Sequence, residues 1–219
     1  MPERSVYFIS TGRCGTTRLA ELLRETLDPS EFTVTWQMRG SHVANVVGNI
    51  LFALGIEEGP RGWVHRRVVA PHQTTPFFIT TDPLTTMVVP RALIDDPNVM
   101  IVHVVRDQAG FARSFLRMTR GRWQSWVAHN LVPFWQPGLW PFQNAVSPRI
   151  EQVYQRIWET KNTYFEQRYG SNPNYRRISM DDLYDAPTMS GLLSDFFDRP
   201  IHIDAGAVAT RGGFITHAS

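Results

Sequence analysis

A chain of 219 residues, 42% of them apolar, is long enough for one α/β domain or for one domain with a helical insertion. A net charge of +2 argues against wholesale binding of nucleic acid, and the longest apolar stretch, NVVGNILFALGI, is too short and too interrupted to span a bilayer. Cys14 is the only cysteine, so no internal disulfide can form and a reducing compartment is expected.

The opening residues enter a strand at VYFIS (6–10), which leaves no room for a signal peptide, and the expected location is the cytoplasm. TTRLAELLRETL (16–27) follows as a helix with Leu19, Leu22 and Leu23 on one face. FTVTWQM (32–38) reads as a second strand, and HVANVVGNILFALGI (42–56) as a helix that stops at the Gly59-Pro60 breaker. PFFITT (76–81) is the next strand, followed by a helix around TTMVVPRALI that Pro90 interrupts or ends. NVMIVHVV (98–105) is apolar almost throughout, as a strand buried in the centre of a parallel sheet must be. AGFARSFLRMT (109–119) continues as a helix, and residues 121–146 are rich in Trp and Pro without a clear period. A long amphipathic helix (149–170), a short strand (176–180) and a last helix (188–197) precede an irregular tail. Strands alternating with helices predict an α/β fold. It is a single domain over 1–219 with a doubly wound, mostly parallel sheet, helices on both faces and a Trp-rich insertion.

The first strand and helix are joined by TGRCGTT (11–17). Such a turn aims backbone N–H groups at one point, where the helix dipole also favours an anion. Gly12 and Gly15 allow close approach, Thr16 and Thr17 add hydroxyl donors, and Arg13 adds a charged fork. An ordinary capped strand-to-helix turn is the alternative. A nucleotide-hydrolysing loop reads G-x-x-x-x-G-K-[ST], yet here Thr16 stands where the lysine belongs. Of 22 cationic residues only Lys161 is a lysine, so the others are arginines, which suit bidentate contact with phosphate or sulfate.

RCGTT (13–17) resembles the 5′-phosphosulfate loop, [KR]-[SG]-G-T-[TS], of the sulfotransferases that use 3′-phosphoadenosine-5′-phosphosulfate (PAPS), with Cys14 in place of the usual serine. The resemblance implies a P-loop-like sulfotransferase fold, PAPS as sulfuryl donor, adenosine-3′,5′-bisphosphate (PAP) as product, and no metal. It implies that Gly12, Arg13, Cys14, Gly15, Thr16, Thr17 and Arg18 hold the 5′ side. VMIVHVVRDQAGFARSFLR is similar to the family's second motif, in which a strand-terminal Arg and a helix Ser bind the 3′-phosphate; here they are Arg106 and Ser114. A plain Arg106–Asp107 turn with a surface serine is the alternative. RRISMDDLYDAP (176–187) resembles a late strand and acidic turn that would set Met180 against the adenine, and TRGGF (210–214) a loop that would close Arg211, Gly212 and Gly213 on the 3′-phosphate. The resemblance runs from about residue 6 to about residue 213, carried by these short segments.

Sulfuryl transfer to a hydroxyl, or to an amine, needs a base. Where cytosolic members keep a Lys and a His in K-T-H-L-P, ITTDPL puts Thr80 and Asp82. Other members keep a glutamate near the position of Gln37, which cannot take a proton; His42 lies five residues on. Asp82 and His42 are rival bases, against an Asp-Pro turn cap and a helix-end or core histidine respectively. His65 and His72 are expected in an Arg-rich loop. Trp123, Trp126, Trp135 and Trp140 would wall or cover a hydrophobic or aromatic small-molecule acceptor, or else pack a helical subdomain. No nucleic-acid partner or membrane span is expected, and the oligomeric state, a homodimer included, is left open. An ATP-dependent small-molecule kinase with a degenerate loop and a non-catalytic nucleotide-binding module are the rival functions.

Overall fold

The protein is described by a computed structural model over residues 2–137 and 150–204. Five strands form one sheet: β1 (Arg4–Ser10), β2 (Phe32–Thr35), β3 (Phe77–Thr80), β4 (Val99–Val105) and β5 (Tyr175–Ser179). Their order is β2-β3-β1-β4-β5, and every pairing is parallel. The register sets Val6 beside Ile79 and Met100, and His103 beside Ile9 and Arg177. The helices are α1 (Thr16–Thr26), α2 (Ser41–Ala53), α3 (Pro60–Val68), α4 (Arg91–Ile94), α5 (Gln108–Gly121), α6 (Trp123–Leu131), α7 (Ile150–Tyr169) and α8 (Ala186–Phe197). The α/β fold with a doubly wound parallel sheet is thus as the alternation of elements predicts. No helix among the described residues is long and apolar enough to cross a membrane.

Side-chain alternation along the strands divides the core in two. Val6 and Phe8 of β1, with Met100 and Val102 of β4, face α1 and α8 through Leu19, Leu23, Leu193 and Phe197. Tyr7 and Ile9, with Val99 and Ile101, face α2, α3 and α7 through Ala44, Val64, Val68 and Phe165. Burying each such Leu or Phe contributes about 1.5–3 kcal/mol, so both helix layers are held by apolar area rather than by helix propensity. Phe111 and Phe115 of α5 close a third cluster against Tyr154 and Ile157 of α7.

Three sequence expectations change. Pro60 does not merely break a helix; it sits in the first turn of α3, where its missing N–H costs nothing. His65 is consequently buried on α3, its Nε2 3.0 Å from the Tyr7 hydroxyl, and not in a loop. Residues 86–94 form a single turn (Thr86–Val88) and the short α4, separated by Pro90, in place of one helix.

One polar bracket ties the second edge of the sheet down. His103 of β4 is fully buried, with Nδ1 2.8 Å from the Tyr175 hydroxyl of β5 and Nε2 2.8 Å from Asn162 Oδ1 of α7. Burial pulls its pKa down to about 4, so the ring is neutral at physiological pH.

Candidate anion-binding site at the carboxyl edge of the sheet

β1 is the switch point of this topology: its neighbours β3 and β4 lead away in opposite directions, and the crevice beyond its carboxyl end is where such sheets bind ligands. The loop that leaves it is forced into left-handed backbone at Gly12 (φ 92°), Arg13 (φ 60°) and Gly15 (φ 76°), the last immediately preceding α1. Gly15 is required twice over. A Cβ there would fall 2.0 Å from the Tyr184 hydroxyl, which donates to the Gly15 carbonyl at 3.0 Å. Cys14 turns inward, fully buried, with its sulfur 3.3 Å from the Gly12 carbonyl. Burial pushes its pKa up, so the thiol stays protonated and serves the loop's shape.

The residues expected to read two different phosphates meet here. Arg13 Nε donates to Ser114 Oγ of α5 at 3.1 Å, and Arg106 Nη1 donates to the Arg13 carbonyl at 3.0 Å. Arg106 is fixed from behind by Trp158 of α7, whose indole N–H donates to the Arg106 carbonyl at 2.8 Å. Asp107 caps α5 by accepting from the Gly110 amide at 2.6 Å, which aims Ser114 two turns along. Loss of water around the loop lowers the pKa of Arg13, and the charges of Arg106, Arg122 and Arg117 lower it further. None of these four guanidiniums pairs with a carboxylate among the described residues, and the buried Arg106 Nε has no partner. Concentrated, uncompensated positive charge with an orphaned donor calls for an anion.

Thr16 is buried and Thr17 half-buried at the start of α1. Arg18 pairs instead with Glu21 on the same helix at 3.2 Å. Met180 is half-buried just after β5, its amide donating to the Val105 carbonyl at 2.9 Å. Arg211, Gly212, Gly213 and Trp140 lie outside the described residues.

On the other side of the loop, the two expected rival bases are neighbours. Asp82, just past β3, is buried and accepts from the Met38 amide at 3.2 Å, the Leu84 amide at 3.0 Å and the Ser41 hydroxyl. Burial raises its pKa, against the pull of Ser41, the Leu84 and Met38 amides and nearby His42. Both carboxylate oxygens are therefore occupied in joining the end of β3 to the start of α2. His42 is exposed on the first turn of α2, its ring stacked on Trp135 with centroids 5.5 Å apart. The chain around Trp135 is strapped to α2: Asn49 Nδ2 donates to the Phe134 carbonyl at 2.8 Å and Asn45 Nδ2 to the Trp135 carbonyl at 2.8 Å. Of the described tryptophans expected to wall a pocket, Trp123 and Trp126 are exposed and Trp135 stacks on His42.

Sequence reasoning missed Trp158, Tyr184, Arg117, Arg122 and the two asparagines, because each acts through a partner distant in the chain. No family model and no curated protein matches the chain in sequence. Among solved structures, the chain is similar in path to retinol dehydratase in complex with androsterone and inactive cofactor PAP. The TM-score is 0.41 at 15% identity, over 99% of this chain and 65% of that one, so this chain spans just under two thirds of that protein's length.

Proposed function

We propose that the protein transfers a sulfuryl group from PAPS to a hydroxyl of a small acceptor. The observation that carries this reading is the junction of Arg13, Arg106 and Ser114 at a glycine cradle that no carboxylate among the described residues neutralises. The resemblance of RCGTT and of the Arg106–Ser114 spacing to the PAPS-dependent sulfotransferases names the anion. The residues fit such a donor: the orphaned Arg106 Nε and Ser114 would hold the 3′-phosphate, and the 12–17 loop the 5′-phosphosulfate.

In the transfer, the acceptor oxygen forms a bond to sulfur while the bond from sulfur to the bridging oxygen breaks. That electron pair remains on the phosphate of PAP, where Arg13 offsets the growing charge, and the acceptor's proton passes to a base. His42 is the better base: it is exposed, whereas the oxygens of Asp82 are already engaged by three donors. Asp82 then orders the start of α2 beside His42. A kinase would need a counterpart of the P-loop lysine, and Thr16 holds that place.

A thermal-shift comparison of PAP, ATP with magnesium, and ADP tests the class. Stabilisation by PAP well beyond that by ATP or ADP is expected, since only PAP carries the 3′-phosphate. Transfer from ATP with PAPS left untouched would replace this reading by the kinase.

A further inference from the structure

Not one acidic residue stands between Asp107 and Glu151, although 20 of the chain's 219 residues are Asp or Glu. So long a gap leaves the arginines inside it without local counter-charge, and the fold sets four of them along one flank. Arg113, Arg117 and Arg120 follow one another at helical spacing on α5 and so share a face, and Arg122 joins α5 to α6. All four are exposed, and none pairs with a carboxylate among the described residues.

Two tryptophans continue this flank. Trp123 and Trp126 occupy the first turn of α6, 72% and 42% exposed. That turn is held in place. The Trp126 amide donates to the Arg122 carbonyl at 2.9 Å, and the Trp126 carbonyl accepts from Asn130 Nδ2 at 2.8 Å. Further along α6, the buried His129 ring lies against Phe115 of α5, with centroids 5.2 Å apart, and holds the two helices together. Ordered indoles left in water beside bare guanidiniums suit an occupant that is both negative and apolar.

We propose that this α5–α6 flank docks on an anionic lipid bilayer. Such a surface offers headgroup charge to the arginines and an apolar interior to the indole rings, whose N–H groups stay at headgroup level. A second copy of the same face would set arginine against arginine. Ser114, which accepts from Arg13, lies on α5 between Arg113 and Arg117, so the docked face borders the anion site.

The test mixes the 219-residue chain, without nucleotide, with vesicles of phosphatidylcholine alone or with added phosphatidylserine, and reads binding by sedimentation. Phosphatidylserine should tighten binding about tenfold or more, and raised salt should remove most of that gain. Brominated acyl chains in the anionic vesicles should quench part of the tryptophan emission. Replacing Trp123 and Trp126 together by Ala should abolish that quenching, and Arg113→Gln with Arg120→Gln should weaken binding about tenfold. These four side chains are exposed, so both double variants should melt with the wild type. Equal binding to neutral and anionic vesicles, or binding to neither, would overturn the proposal. So would emission that brominated lipid leaves untouched, or quenching that survives in the tryptophan variant. Self-association, or retention on single-stranded DNA, in place of vesicle binding would give the flank to that occupant and overturn the proposal as well. The vesicle and quenching measurements on the wild type decide the matter even where a variant fails to fold.

Discussion

Arg106 works in two directions at once, with its carbonyl pinned by Trp158 and its guanidinium donating to the Arg13 carbonyl while its buried Nε is left without a partner. Arg106→Ala should therefore weaken PAP binding by about 2–3 kcal/mol, the value of a charge-assisted contact. Adenosine-5′-phosphate, which lacks the 3′-phosphate, should lose much less in the same calorimetric titration. In the proposed transfer Arg13 differs in kind, because its benefit would grow as charge develops on the leaving oxygen. Arg13→Ala should cut kcat by about 10²–10³ with a smaller change in PAP affinity, and Arg13→Lys should recover part of the rate by keeping charge without the fork. The candidate site was legible at this scale where one chain segment carries the chemistry, as RCGTT does. Trp158 and Tyr184 were not, since nothing in their local context shows that they reach the Arg106 and Gly15 carbonyls until the elements are packed.

Between elements, the strap from α2 to the Phe134–Trp135 carbonyls holds Trp135 against His42, the proposed base. Replacing both Asn45 and Asn49 by Ala would remove the side-chain donors that these carbonyls receive from α2, at about 1–3 kcal/mol each. Denaturant unfolding should show the loss, the Trp135 emission should shift as its stack on His42 loosens, and acceptor KM should rise while PAP affinity holds. Long, strongly patterned elements such as β4 and α1 were read from the sequence nearly to their ends because burial on both faces, or on one stripe, leaves a period to read. α3 was missed because Pro60 signals both a stop and a start, and α6 because its aromatic residues lie mostly outside the core and follow no period. The meeting of Asp82 with Ser41 and His42 spans some forty residues of chain, and only the parallel alignment of β2 beside β3 brings it about.

For the molecule as a whole, the neutral His103 that brackets β4, β5 and α7 sets a limit in acid. His65 and His129 share its state, each held by burial at a pKa of about 4 against an ordinary value near 6.5. The unfolded chain takes up these protons first, so stability is full above about pH 6.5 and drains away as pH falls towards 4. Each ring accounts for a loss on the order of a few kcal/mol across that window. Unfolding titrations should place the steepest decline there, and His103→Asn should flatten part of it. β5 pairs with β4 alone, and the ring that must ionise holds both its Tyr175 and Asn162 of α7. Souring the medium should accordingly unzip the fold from that border inwards, with the amides of β5 exchanging for deuterium before those of β1 begin to.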